Sequence, residues 1–213
     1  MKQLSLYKRL SLTTALVLAM ALVASPMVQA AKLKKQNLTQ LISSSESIVA
    51  GTVVKVVDGI DANGVPYTEV TIDVGSVAKG KVAPGLFTFR QFGLLNPRTM
   101  PNGHRMLAMT PDGFPKWRAN EYVVAFMYHP ASRTGLQTTA GMAQGKLTLH
   151  GDNLLSNEFG NDGLFEGVQI NASELSAEQN VMIQGDGPVG TDAFIDLVNK
   201  AVEGNWIEKG VMK

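Results

Sequence analysis

Residues 45–93 alternate apolar and polar side chains through three runs broken by turn residues, and that two-residue period points to antiparallel strands. The first run, residues 48–57, is β-branched on both faces. It is interrupted by Gly51, and a glycine inside a strand commonly marks a bulge or a tight bend. Asp58, Gly59, Asp61, Asn63 and Gly64 then supply the turn chemistry of a hairpin. In the second run, residues 67–77, Val70, Ile72 and Val74 take one face and Glu69, Thr71 and Asp73 the other. The third, residues 86–92, sets Phe87 and Phe89 against Thr88 and Arg90.

Two further strands follow. Residues 122–128 are apolar on both faces, the pattern of a central strand covered on both sides. Residues 144–150 alternate again, with Leu147 and Leu149 inward and Lys146, Thr148 and His150 outward. Between the third and fourth strands lie residues 94–120, rich in proline and without a clear period. Connections of that length without structure of their own are uncommon and often functional. Leu38, Leu41 and Ile42 fall at helical spacing, and Ser176 opens a sequence resembling a capping box. A C-terminal amphipathic helix has Thr191 or Asp192 as N-cap, one apolar face of Phe194, Leu197, Val198, Ala201 and Val202, and Gly204 as its stop. The expected fold is mainly β: a small five-stranded OB-like antiparallel barrel with a short N-terminal helix and a C-terminal amphipathic helix.

The first thirty residues are expected to take no part in that fold. Lys2, Lys8 and Arg9 precede an apolar run, and Val28, Gln29 and Ala30 fit a small-residue cleavage site, the arrangement of a signal peptide cut after Ala30. The expected product is one exported domain, residues 31–213, periplasmic or secreted, with residues 31–35 as a loosely held basic leader and no membrane span after removal of the signal. The chain has no cysteine, so disulfides, thiolate metal sites and cysteine nucleophiles are excluded. Loss of Lys2, Lys8 and Arg9 leaves 16 basic against 18 acidic residues. Without a basic patch or an aromatic platform, nucleic acid is not an expected partner.

Several motifs fail on context. Gly185, Gly187 and Gly190 spell a dinucleotide fingerprint, but no βαβ unit surrounds them. Ser76 and Lys79 match the S-x-x-K of penicillin-binding enzymes, yet Ser76 ends a strand and no S-D-N element occurs. Placing Gly64 or Gly163 as the EF-hand glycine puts Val70 or Gln169 where a Glu is required. A looser oxygen site could draw on Asp152, Asn157, Asn161 and Asp162. The long connection carries Met100, His104, Met106 and Met109, soft ligands suited to Cu(I); methionine is equally the adaptable filler of irregular packing. The packing alternative would bury those methionines against Phe114 and Trp117.

Residues 45–51, 68–74, 79–80, 89–93, 113–126 and 141–147 carry S-x-S-I-V-A-G, T-x-V-x-I-x-V, K-G, F-R-Q-F-G, G-F-P-K-W-x-x-N-E-Y-V-V-A-F and G-x-A-Q-G-K-L. In these pieces the chain resembles a family of uncharacterised exported bacterial proteins with an OB-like β-barrel. It departs from that pattern at Asn120, where glycine would precede the glutamate. The resemblance brings no catalytic residues with it. In outline the barrel is similar to metalloproteinase inhibitor domains, an analogy of fold alone.

The expected function is therefore an exported, non-enzymatic binding module that contacts an exported protein or peptide through residues 94–120, with Met100, His104, Met106, Met109, Phe114 and Trp117 as the contact set. Two alternatives stand beside it: copper handling through Met100, His104, Met106 and Met109, with copper as the only cofactor implied, and binding in the manner of a protease inhibitor.

Overall fold

A computed structural model describes residues 33–100 and 102–213, so the expected signal peptide lies outside the described residues. The chain from Lys34 onward begins with α1 (Leu38–Ser44), started by Asn37 and Gln40 in a reciprocal capping box and burying Leu38, Leu41 and Ile42. Three long antiparallel strands follow: β1 (Ser47–Ile60), β2 (Pro66–Lys79) and β3 (Gly85–Phe92). The hairpin turn is at residues 61–64, so Asp58 and Gly59 belong to β1. Next come two short strands, β4 (Arg98–Thr99) and β5 (Arg105–Met106), and then β6 (Tyr122–Met127), β7 (Lys146–His150) and β8 (Leu154–Ser156). The chain ends through α2 (Ala177–Met182), β9 (Val189–Gly190) and α3 (Thr191–Glu203).

Seven strands form one antiparallel sheet in the order β3-β2-β1-β6-β7-β8-β9, while β4 and β5 pair separately. The mainly-β expectation holds. The five-stranded OB-like barrel is not confirmed: the sheet has seven strands and is open. Two of them, β8 and β9, are of three and two residues, too short to show a period. They extend the sheet beyond β7. At the far end, β3 touches residues 137–140 through one backbone hydrogen bond, Gln137 N–H to Arg90 O at 2.8 Å, where a closed barrel would have a continuous ladder.

Residues 47–53 of β1 and the whole of β6 are covered on both faces, and the two faces feed different cores. Ile48, Ala50, Val124 and Phe126 join Leu38, Leu41, Phe194, Leu197 and Val198 under α1 and α3. Val49, Val53, Val123, Ala125 and Met127 join Val70, Ile72, Val74, Phe89 and Trp117 on the opposite side. Burial of a large apolar side chain is worth roughly 1.5–3 kcal/mol relative to exposure, and Phe126 and Phe194 are both fully buried with their rings edge-on at 6.4 Å. Gly51 sits beside a register shift in the β1–β2 ladder, and a Cβ there would lie 2.2 Å from Asp73 O. Only glycine allows β2 to pass so close.

The helix expectations hold with small shifts. α2 begins at a capping box formed by Ser176 and Gln179. α3 is capped at Gly190, because the Thr191 hydroxyl donates instead to Asn153 O at 2.8 Å; Gly204 ends the helix. The expected loosely held leader is tied down where it is described. Gln144 accepts from Gln36 N–H at 2.8 Å and donates to Lys34 O at 3.0 Å, and Lys35 Nζ reaches Asp162 at 2.8 Å.

Candidate functional site

The long connection after β3 has two parts with different structures. Residues 94–109 fold into a two-stranded ribbon. Its base is the pair Leu94 and Met109, each N–H donating to the other's carbonyl at 2.8 and 2.9 Å. Arg98 then pairs with Met106 and Thr99 with Arg105, and Met100 N–H donates to His104 O at 2.7 Å beside the turn. Gly93 is the corner from which the ribbon leaves β3: its φ is +137°, and a Cβ there would lie 2.8 Å from Met109 O. The structureless connection expected from the sequence is therefore a hairpin whose strands are two residues each.

A single carboxylate fastens this ribbon. Asp58, its side chain 4 % exposed, accepts from Leu95 N–H at 2.8 Å and Asn96 N–H at 2.7 Å, and pairs with the Arg98 guanidinium, which also donates to Asp58 O at 2.6 Å. Burial by itself raises the carboxyl pKa. The Arg98 charge and the two backbone N–H groups overcome that and hold it below the ordinary carboxylate value. The position of Asp58 far along β1 follows from the strand continuing to Ile60.

Residues 110–120 return against the body. Trp117 Nε1 donates to the buried Gln91 amide at 3.1 Å, Gln91 Nε2 donates to Pro115 O at 3.0 Å, and the Trp117 ring meets Phe89 edge-on at 5.2 Å. Lys146 locks the other side. Its ammonium, expected on the outer face of its strand, is buried: Nζ donates to Glu121 at 2.6 Å and to Lys116 O at 2.7 Å, and lies 5.1 Å from the centre of the Trp117 ring. Desolvation pushes the Lys146 pKa below that of an ordinary lysine, with the Glu121 carboxylate opposing the shift.

The six residues expected to form one contact surface are thus divided. Met100 and Met106 are half-buried, His104 is exposed, and Met109 at the ribbon base is exposed. The 99–105 and 98–106 register, continued by the Met100–His104 bond, places Met100, His104 and Met106 on one face of the ribbon by strand alternation; Met109 lies beyond it, at the base. None of the three ribbon methionines belongs to either core cluster, so they are not core filler. Trp117 is a core residue, 5 % exposed, and Phe114 is half-buried.

Two concavities flank the Pro115–Arg118 segment. One, about 510 Å³, lies between it and the ribbon base, with Leu94, Leu95 and Met109 on one wall and Lys116 and Arg118 on the other. The second, about 220 Å³, is lined by Glu121, Lys146, His150 and Glu158 among others. Asp58, Arg98, Lys116, Arg118, Glu121 and Lys146 were all missed as site residues. The only sequence signal for them is a charged residue bounding or entering an apolar strand, which is ordinarily solvated.

The remaining motif candidates resolve as structure. The oxygens of Asn157 and Asn161 accept from the backbone N–H groups of Phe159, Asn161 and Asn157, and Asp162 pairs with Lys35, which uses these groups to shape a loop. Lys79 donates to Ile42 O at 2.7 Å, far from the S-x-x-K arrangement of a helix. The glycines of residues 185–190 lead into β9, which pairs antiparallel with β8, so no βαβ unit is present around them. Among the described residues no helix is long and apolar enough to cross a membrane. The chain matches no family model, no curated protein and no solved structure.

Because the Asp58 pKa is lowered on folding, its contribution is complete above the unfolded value of about 3.9 and is lost as pH falls through the folded value. Asp58→Asn is expected to cost about 1.5–3 kcal/mol at neutral pH, with the difference from wild type shrinking on acidification below about pH 4. Urea unfolding of both proteins at a series of pH values checks this; a difference that is constant down to acid pH would contradict the role given to the carboxylate.

Proposed function

We propose that the protein is an exported, non-enzymatic binding module that grips a protein partner with the ribbon of residues 94–109 and the adjoining return. The observation that carries this reading is a hairpin fastened to the sheet by Asp58 and by the Leu94–Met109 pair, with Leu95, Leu107 and Met109 exposed, Leu107 by 68 %. Apolar side chains on a fastened projection are costly to leave in water and well placed for a partner. The basic and apolar leader of residues 1–30 supports export. The likeness to uncharacterised exported bacterial proteins, and to the OB-like outline of protease inhibitor domains, belongs to the same proposal. What supports that outline is the second core, to which β1, β2, β3 and β6 all contribute, and the hydrogen bond from Gln137 N–H to Arg90 O at the β3 end of the sheet.

With Leu95, Leu107 and Met109 all changed to Ser, the folded protein is expected to lose a partner that wild type retains in a pull-down from the exported fraction. Retention of the same partners by both proteins would remove the ribbon as the contact.

A second reading rests on the shared face of Met100, His104 and Met106, two thioethers and an imidazole that suit Cu(I). In a competition titration against a Cu(I) chelator, binding tighter than micromolar that is lost in Met100→Leu and in His104→Ala is expected if the ribbon handles copper. Binding no tighter than micromolar would end that reading.

A further inference from the structure

The concavity beneath the ribbon base has walls of opposite character. Leu94, Leu95 and Met109 form an apolar side, Lys116 and Arg118 form the rim facing them, and no carboxylate is among its described lining residues. Its floor offers little to a small ligand, because the polar atoms there are already in use. Gln91 Nε2 donates to Pro115 O, and its Oε1 accepts from Trp117 Nε1 and from the Thr138 hydroxyl at 3.2 Å. Recognition must come from the walls.

The two cations are held at their backbone and exposed at their tips. Lys146 fixes Lys116 O, and the core position of Trp117 fixes the residue between them. The side chains themselves stand in solvent, 63 % and 77 % exposed. Lys116 pairs with Glu158 at 2.9 Å, both side chains exposed, and such a pair contributes little; Arg118 approaches the largely buried Glu121 at 3.6 Å, a carboxylate that Lys146 already holds at 2.6 Å. Turning either cation toward an incoming carboxylate therefore costs little, since Glu121 keeps Lys146 as its partner, and an arginine can hold a carboxylate with two parallel hydrogen bonds.

We propose that this groove takes an extended protein segment in which an apolar side chain lies next to a carboxylate, the apolar group against Leu95 and Met109 and the acid between Lys116 and Arg118. The inference rests on the ribbon being the binding surface and adds the chemistry of its partner. The groove is concave and carries two cations, which suits a side chain and its acidic neighbour better than a nucleic-acid backbone or a flat lipid surface.

The test uses the purified protein and three sets of short fluorescein-labelled peptides in a Gly-Ser background: Asp alternating with Leu or Phe, Lys alternating with the same residues, and Asp alternating with Ser. Fluorescence anisotropy is expected to show the acidic-apolar set binding at least about tenfold tighter than either other set, and more weakly at high salt. Reversing both rim charges, Lys116→Glu with Arg118→Glu, is expected to switch the preference to the lysine set. The variant's affinity for that set also shows that it is folded. Equal binding of acidic and basic sets, insensitivity to the charge reversal, or binding to anionic phosphatidylglycerol vesicles but to no peptide would overturn the proposal. If no peptide binds while the serine-substituted ribbon still loses its captured partner, the groove assignment fails and the ribbon reading stands.

Discussion

Burial of β6 and of the first half of β1, residues 47–53, on both faces is the constraint on which the rest of this structure depends. Successive residues of one strand must be covered by different layers, so the fold needs two. Helices α1 and α3 supply one. The other is made by the curl of β2 and β3 over Phe89 and Trp117. With no cysteine in the chain, these two layers are what hold α1, the sheet and α3 together.

The second layer also positions the candidate site. Trp117 is drawn into the core beside Phe89, which carries Lys116 and Arg118 to a fixed place at the surface. The buried Lys146 then clamps the same segment from the β7 side through Lys116 O and Glu121. Such a pair gains little net stability over an apolar substitute, because both groups give up hydration. Its effect here is geometric: it holds residues 115–121 in one register on the sheet. On the other side of the groove Asp58 performs the matching task for the ribbon, so each wall is fastened by one buried charge.

Much of the scaffold was legible in the sequence, and the reasons are local. Val70, Ile72 and Val74 alternate with polar residues because β2 has one face in the core. Residues 122–128 lose that alternation because β6 has two. Leu38, Leu41 and Ile42 mark the first helix by their spacing, and Ser176 with Gln179 announces a helix start through its own hydrogen bonds. The site was much less legible. The ribbon strands are two residues each, below the length at which a period exists, and prolines disguise their pairing. Lys146 reads as outward by alternation, and only the register that sets it opposite Ala125 and beside residues 116–121 makes it buried. Asp58 looks like a turn residue until β1 is seen to continue through it. The count of five strands came from the segments long enough to show a period, and β8 and β9 carry too little pattern to be seen.

The central claim is that the chain between Leu94 and Met109 forms a ribbon fastened to the sheet. Site-resolved amide hydrogen exchange on the native protein tests it most directly. The account predicts slowed exchange at Leu94, Leu95, Asn96, Met100, Gly103 and Met109, whose N–H groups donate to backbone carbonyls or to Asp58, and fast exchange at their unbonded neighbours. Exchange of all six at the rate of an unstructured chain would mean that no ribbon stands there to bind anything.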